Sequence, residues 1–175
     1  AGFEQALDEL LSGEAEIATL GRIDIQIGNR ACPLLALNDV LFANRSPACS
    51  SRYILKASTR EAFQTSSGIW ISTASGASGA MQSAGGATMA PGDQRLQFRV
   101  RELYGDDPVA RALTEGLTDE PIVVVPRTPN HMIYLDGQLR AYRAGFGTKV
   151  SFRLSETPLR LARYRPSAAR VTREG

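Results

Sequence analysis

The stretch PIVVVPRTPNHMIYLDGQLRAY, residues 121–142, decides the fold class of this chain. Ile122 to Val125 is a short β-branched run closed on both sides by proline, and His131 to Leu135 is a second apolar run. Between that run and the next, Gln138 to Tyr142, stands Asp136-Gly137, a dipeptide suited to the positive φ angles of a tight hairpin. The same pattern recurs on both sides. Downstream lie the strand candidates Thr148 to Leu154 and Leu159 to Tyr164. Upstream, Ile23, Ile25 and Ile27 alternate with Asp24 and Gln26, the period-2 pattern of a half-buried strand, before a turn at Gly28-Asn29. Leu34 to Phe42, Ser50 to Ala57, Ile69 to Thr73 and Leu96 to Leu103 complete the set. Many short strands with few helices predict a mainly β fold, an antiparallel sandwich or a related architecture. One short amphipathic helix is expected at the start, where Phe3, Leu7, Leu10 and Leu11 share a face and Ser12-Gly13 ends it. Tyr104 to Thr118 reads as a polar, partly helical excursion, and residues 166–175 as a frayed tail after a single domain spanning 1–165.

With 175 residues, 43% hydrophobic and 22% charged, the chain has an ordinary globular balance. It contains no apolar run near the roughly 20 residues a bilayer-spanning helix needs, and Ala1-Gly2-Phe3-Glu4 lacks the features of a signal peptide. A cytoplasmic protein without a membrane partner is expected. Cys32 and Cys49 have no further thiol or histidine at ligand spacing, so neither a disulfide framework nor a metal site is predicted. The net charge of +2 conceals a basic end: from Arg140 onward, eight arginines and one lysine face only Glu156 and Glu174. These cations alternate with apolar residues, as on a solvated sheet face, and aromatics are sparse. Nucleic acid is therefore not an expected partner.

The strongest chemical signal is Ser72 to Gly86, a run of tiny residues after the strand Ile69-Trp70-Ile71. Such residues let backbone approach a ligand. A helix starting near Ser78 would offer free N–H groups beside the hydroxyls of Ser75 and Ser78, a donor set suited to phosphate or ribose oxygens. The run lacks the Gly-Lys-Ser/Thr of a nucleotide P-loop, and the same composition also suits a flexible or tightly packed turn. The second signal is Asn38-Asp39, a polar pair within Leu34 to Phe42. An Asn amide can pair with a purine edge and a carboxylate can accept ribose hydroxyls, while a strand-end cap is the structural alternative. His131, the only histidine, and Asp106-Asp107 are weaker candidates, better read as a structural ring and a solvated turn. No catalytic constellation is complete within this sequence.

Taken in order, Ala36-Leu37-Asn38-Asp39-Val40, Ser67-Gly68 leading to Ser72-Thr73-Ala74-Ser75-Gly76, Ser83-Ala84-Gly85-Gly86 and Leu135-Asp136-Gly137-Gln138 resemble the C-terminal domain of NAD kinases. The family pattern is Ala-Leu-Asn-Glu, then Asp-Gly and Thr-Pro-Thr-Gly-Ser-Thr-Ala-Tyr, then Ser-Ala-Gly-Gly and a closing Asp-Gly-Gln. The resemblance covers nearly the whole chain, with Tyr104 to Glu120 matching poorly. It implies a β-sandwich-like domain that contributes most of the NAD site in an enzyme phosphorylating the adenosine-ribose 2′-hydroxyl. Asn38 and Asp39 would then contact the dinucleotide, Ser75, Gly76, Ser78 and Gly79 would line its pocket, and Ser83 would add a polar contact. ATP and a divalent cation such as Mg are implied by the family and not by this chain. A homo-oligomer, dimer or tetramer, is implied as well.

The departures bear on activity. The family's α/β domain with Gly-Gly-Asp-Gly, whose aspartate is the expected base, has no counterpart here, so the chain is expected to be the C-terminal half of a longer protein and inactive alone. The family's Asp before Gly is Ser67, its Pro is Ala74 and its Tyr is Ala80. Ser66-Ser67-Gly68 is closer to the mitochondrial-type branch. These changes leave open a dinucleotide-sensing or oligomerisation module without catalysis. A related lipid kinase is disfavoured by Asn38-Asp39 and Ser-Ala-Gly-Gly.

Overall fold

A computed structural model describes residues 2–163. The expected tail, 166–175, and Tyr164 at the end of the last strand candidate lie outside the described residues. In chain order the elements are α1 (Gly2–Ser12), β1 (Glu16–Leu20), β2 (Ile23–Ile27), β3 (Arg30–Ala31), β4 (Asp39–Asn44), β5 (Ser51–Ala57), β6 (Arg60–Ser66) and β7 (Gly68–Ser72). There follow α2 (Ala80–Ser83), β8 (Leu96–Arg101), α3 (Pro108–Arg111), β9 (Glu115–Thr118), β10 (Ile122–Pro126), β11 (His131–Leu135), β12 (Arg140–Ala144), β13 (Val150–Leu154) and β14 (Leu159–Arg163).

Two compact units result. The smaller comprises residues 2–19 and 160–163 among those described, with α1 beside a β1–β14 ribbon. Its helix ends as expected, Gly13 taking a positive φ of 78°. Phe3, Leu7, Leu10 and Leu11 remain exposed on that helix.

The larger unit, Leu20–Leu159, holds two six-stranded sheets, ordered β3-β2-β13-β10-β5-β6 and β12-β11-β4-β7-β8-β9. Neighbouring strands run antiparallel, Val40 opposing Ile71 and Leu135, and Val124 opposing Leu55 and Val150. Because successive side chains alternate faces, Ile23, Ile25, Leu55, Val124 and Phe152 of one sheet meet Val40, Phe42, Ile71, Phe98 and Ile133 of the other in one core. Phe42 and Tyr53 join the sheets edge to face at 5.3 Å. The mainly β architecture agrees with the sequence reading.

Among the strands that escape the sequence pattern are β6 and β9. In β6 the core-facing residues are Ala62, Gln64 and Ser66, while Phe63 faces solvent, so the apolar alternation is inverted. Two of its buried polar groups have partners: the Tyr53 hydroxyl lies 2.9 Å from Ser66 Oγ, and Gln64 Nε2 donates to the carbonyls of Ala110 and Leu113 at 3.1 and 3.0 Å, while Gln64 Oε1 is buried without one among the described residues. Gln64 thereby pins the excursion after β8. In that excursion only Pro108–Arg111 is helical, started by Asp107, which accepts from the Val109 amide at 2.9 Å. The expected excursion to Thr118 is instead cut short by β9, where Glu115 ion-pairs with Arg99 across the sheet. The hairpin turn spans four residues with Leu139 at its exposed tip, which delays β12 to Arg140.

Gly68 occupies a tight backbone crossing between β7 and β4. It has φ 116°, and a Cβ there would lie 2.4 Å from the Phe42 carbonyl oxygen, with backbone that cannot give way. Gly92 also has positive φ, 85°, but nothing stands within 4 Å of its Cβ position. Gly92→Ala is expected to cost about 1–2 kcal/mol, the left-handed penalty alone. Gly68→Ala should cost well over about 2 kcal/mol, because strain and clash combine. Urea unfolding of the two variants measures the difference, and equal midpoints would contradict this crossing.

Candidate functional site

β4 begins at Asp39, so Asn38 is the last residue before the strand. The hairpin turn between β11 and β12 places Asp136 against this entry, with φ of 45° at Asp136 and 105° at Gly137. The Asp136 carboxylate accepts three successive amides, Leu37 N at 2.8 Å, Asn38 N at 2.7 Å and Asp39 N at 3.2 Å. In return the Asp136 amide donates to the Asp39 carbonyl at 3.0 Å.

The other side of the same segment is held by the end of β7. Thr73 N and Thr73 Oγ1 donate to the Asn38 carbonyl at 2.9 and 3.3 Å, and Oγ1 also reaches the Leu37 carbonyl at 2.7 Å. Gly76 then packs directly on this backbone: a Cβ at Gly76 would stand 2.1 Å from the Asn38 oxygen. The structure thus joins two sequence signals that lie 38 positions apart when counted from Asn38 to Gly76. With its backbone committed on both sides, Asn38 is left with an exposed side chain that has no hydrogen-bond partner among the described residues.

Asp39 is half-buried. Its carboxyl is pushed above the ordinary carboxylate range, first by burial and then by the neighbouring Asp136 charge. A carboxylate so placed gains more than an exposed one from hydroxyl donors, which restore the solvation lost on burial.

The Gly/Ser-rich run differs in detail from the expectation. Helix α2 starts at Ala80, not near Ser78, and lasts one turn. Before it the chain makes tight turns that use the amides of Gly76, Ala77 and Gly79 on the carbonyls of Thr73, Ala74 and Gly76. Part of the expected donor cluster is therefore already bonded. The hydroxyls of Ser75 and Ser78 have no partner among the described residues, whereas Ser83 Oγ back-bonds to the Gly79 carbonyl at 3.4 Å. Gly85, with φ 83°, and Gly86 close the helix: their amides bond the carbonyls of Gln82 and Met81 at 2.9 and 2.8 Å, a Schellman stop. A Cβ on Gly86 would collide with Gln97 Oε1 and Met81 Cγ at 2.5 Å each. The Ser-Ala-Gly-Gly words thus encode a helix terminus.

Sequence reading singled out neither Thr73 nor Asp136 as a site residue. Asp136 was visible as a turn former and as part of the closing Asp-Gly-Gln stretch, and nothing local in the sequence shows that its carboxylate faces residues 37–39. His131 lies at the opposite end of the sheet, fully buried and stacked on Phe42 at 4.9 Å, with Nδ1 2.9 Å from the Thr128 carbonyl. Burial lowers its pKa, and the Thr128 bond only partly opposes that. It is a structural ring, as expected. Asp106 pairs with Arg111 and Asp107 caps α3, so neither acid belongs to the site. Among the described residues no helix is long and apolar enough to cross a membrane, and no three acidic, His or Cys groups are gathered to hold a metal ion.

No protein-family model matches the chain. A curated protein of Oryza sativa subsp. japonica, described as a probable NADH kinase, is 33% identical over 145 residues, which is 78% of this chain and 45% of that protein. The chain thus spans less than half the length of this relative. Yeast NADH kinase, solved as a complex with NADH, superposes with a TM-score of 0.77 at 12% identity, covering 91% of this chain and 48% of that one. An NAD kinase from Archaeoglobus fulgidus, solved with ATP, gives 0.73 at 20% identity over 93% and 61%. These structural likenesses establish the shared fold, and with the sequence identity to the rice protein they make this chain an NAD kinase C-terminal-like domain.

Proposed function

We propose that this domain is the dinucleotide-binding half of an NAD kinase-like enzyme that transfers a phosphoryl group from ATP to the adenosine-ribose 2′-hydroxyl of NAD, giving NADP. The observation carrying this reading is the doubly anchored Asn38: its backbone is fixed by Asp136 and Thr73 while its amide side chain stays free. Such a group is organised before ligand arrives, so binding costs little further ordering. Asn38 pairs with the adenine edge and Asp39 accepts ribose hydroxyls. Ser75 and Ser78 add hydroxyl donors, and Gly76 and Gly79 let the ligand approach backbone. Ser83 contributes through the turn it closes with Gly79.

Proton abstraction from the 2′-hydroxyl and placement of the donor phosphates belong to a Gly-Gly-Asp-Gly α/β domain that partners this one, and the divalent cation acts with those phosphates. The domain works as a cytoplasmic homo-oligomer. In support, the solvent face of the second sheet carries Leu41, Trp70 and Tyr134 around a depression of about 300 Å³ bordered by Gly137 and Gln138. Ser66 bridges the Tyr53 hydroxyl and the Gly68 backbone, which gives the Ser66-Ser67-Gly68 variant of the mitochondrial-type branch a packing role. A dinucleotide-sensing module without catalysis is the second reading, favoured by Ser67 and Ala80 where the family has Asp and Tyr.

Titration calorimetry of the chain with NAD, NADH and NADP tests the site. Asn38→Ala should weaken dinucleotide binding by about 1–3 kcal/mol, the cost of a lost polar contact, with an unchanged unfolding midpoint. Equal affinity for wild type and variant would remove the Asn38 assignment. Asp136→Ala should reduce both affinity and stability, the latter by about 1.5–3 kcal/mol, because a charged acceptor of three amides is lost. At Gly79 a Cβ would meet nothing nearer than 3.5 Å, so the protein itself tolerates a side chain there. Gly79→Val is therefore expected to abolish NAD binding while the fold persists; retained binding would make the run a packing turn only.

A further inference from the structure

At the far end of β4 from Asn38 is a cleft that the site above does not use, about 760 Å³, lined by Asn44, Arg45, Cys49, Arg52, Thr128 and Asn130 among others. Four strand residues, Val40 to Ala43, stand between Asp39 and Asn44, about 17 Å at the usual rise. We propose that this cleft is a second ligand site that takes phosphate groups of a small phosphorylated molecule.

Three observations carry this. Arg45 and Arg52 both line the cleft, and neither guanidinium has an acidic partner or hydrogen-bond acceptor among the described residues. The segments that build the cleft contain no acid at all: none occurs from Val40 to Arg60 or from Pro121 to Leu135. Uncompensated arginines converging on one concavity create a positive potential that an anion relieves. The loops bearing these groups are fixed by backbone, Arg45 N bonding the Asn130 carbonyl at 2.8 Å and Arg127 N the Arg52 carbonyl at 2.7 Å. Finally, the Thr128 hydroxyl is shielded from solvent and has no partner. The Asn44 side-chain oxygen is occupied by the Ser46 amide at 2.9 Å, which leaves its NH₂ as donor. The cleft thus presents guanidinium and amide donors with few acceptors, a set matching the acceptor-only oxygens of a phosphate group. Its volume exceeds that of a single inorganic ion and fits a larger phosphorylated ligand.

Cys49 provides a local reporter, since its thiol is free and exposed at the cleft while the other thiol, Cys32, is buried. The test follows iodoacetamide alkylation of Cys49 in the 175-residue chain against increasing inorganic pyrophosphate at constant ionic strength. Saturable slowing of alkylation is expected. Arg45→Gln and Arg52→Gln should each shift half-protection to at least fivefold higher pyrophosphate, while Asn38→Ala and the exposed Arg30→Gln leave it unchanged. Both arginines are exposed side chains, and an unchanged melting temperature verifies each variant. No protection, protection unaffected by either cleft variant, or an equal effect of Arg30→Gln would overturn the proposal.

Discussion

Three backbone amides converging on one carboxylate organise this domain. Asp136 sits in the β11–β12 hairpin, and by accepting the N–H groups of Leu37, Asn38 and Asp39 it fixes where β4 starts. Neutral amides bonded to a charged acceptor give shorter and stronger bonds than neutral pairs, and here a single side chain satisfies donors that strand pairing has not yet reached. The β4–β7 register follows from that start, Asp39 opposing Ser72, and it brings Thr73 and Gly76 onto the opposite side of the same backbone. An exposed polar side chain at Asn38 on a fully committed backbone is the outcome, the combination that preorganised recognition requires.

The signature words of the sequence divide by physical role once the structure is known. Gly68 and Gly76 are glycines because the carbonyl oxygen of Phe42 or Asn38 occupies the space of a Cβ. Gly85 is a glycine because a Schellman stop needs a left-handed residue, and Gly86 because Met81 and Gln97 fill its flank. Gly79 stands apart, since its own protein surroundings leave room for a Cβ.

The two ends of β4 have opposite electrostatics. At its start, Asp39 and Asp136 place two carboxylates close together, one of them half-buried and held above its ordinary pKa. At its end, Arg45 and Arg52 stand without acidic neighbours over an unpaired Thr128 hydroxyl. The carboxylate end favours hydroxyl and amide donors, and the arginine end favours anionic groups. A single strand thereby separates two chemistries that would neutralise one another if adjacent.

From sequence alone, the alternation at Ile23 to Ile27, the β-branched run at Ile122 to Val125 and the Asp136-Gly137 turn determined a mainly β fold, because burial of alternate side chains is a local, periodic requirement. Asn38-Asp39 and Ser72 to Gly86 stood out for the same kind of reason, polarity and smallness where apolar bulk was expected. Tertiary structure decided the rest. β6 was illegible because its core face is Ala62, Gln64 and Ser66, where the Ser66 hydroxyl is met by Tyr53 and the Gln64 amide nitrogen by the carbonyls of Ala110 and Leu113, distant partners that no local pattern contains. The one-turn length of α2 was set by tight turns that consume the amides before Ala80. Asp136 acquired its role only when a hairpin 97 residues beyond Asp39 folded back on it, a non-local hydrogen bond that periodicity cannot register.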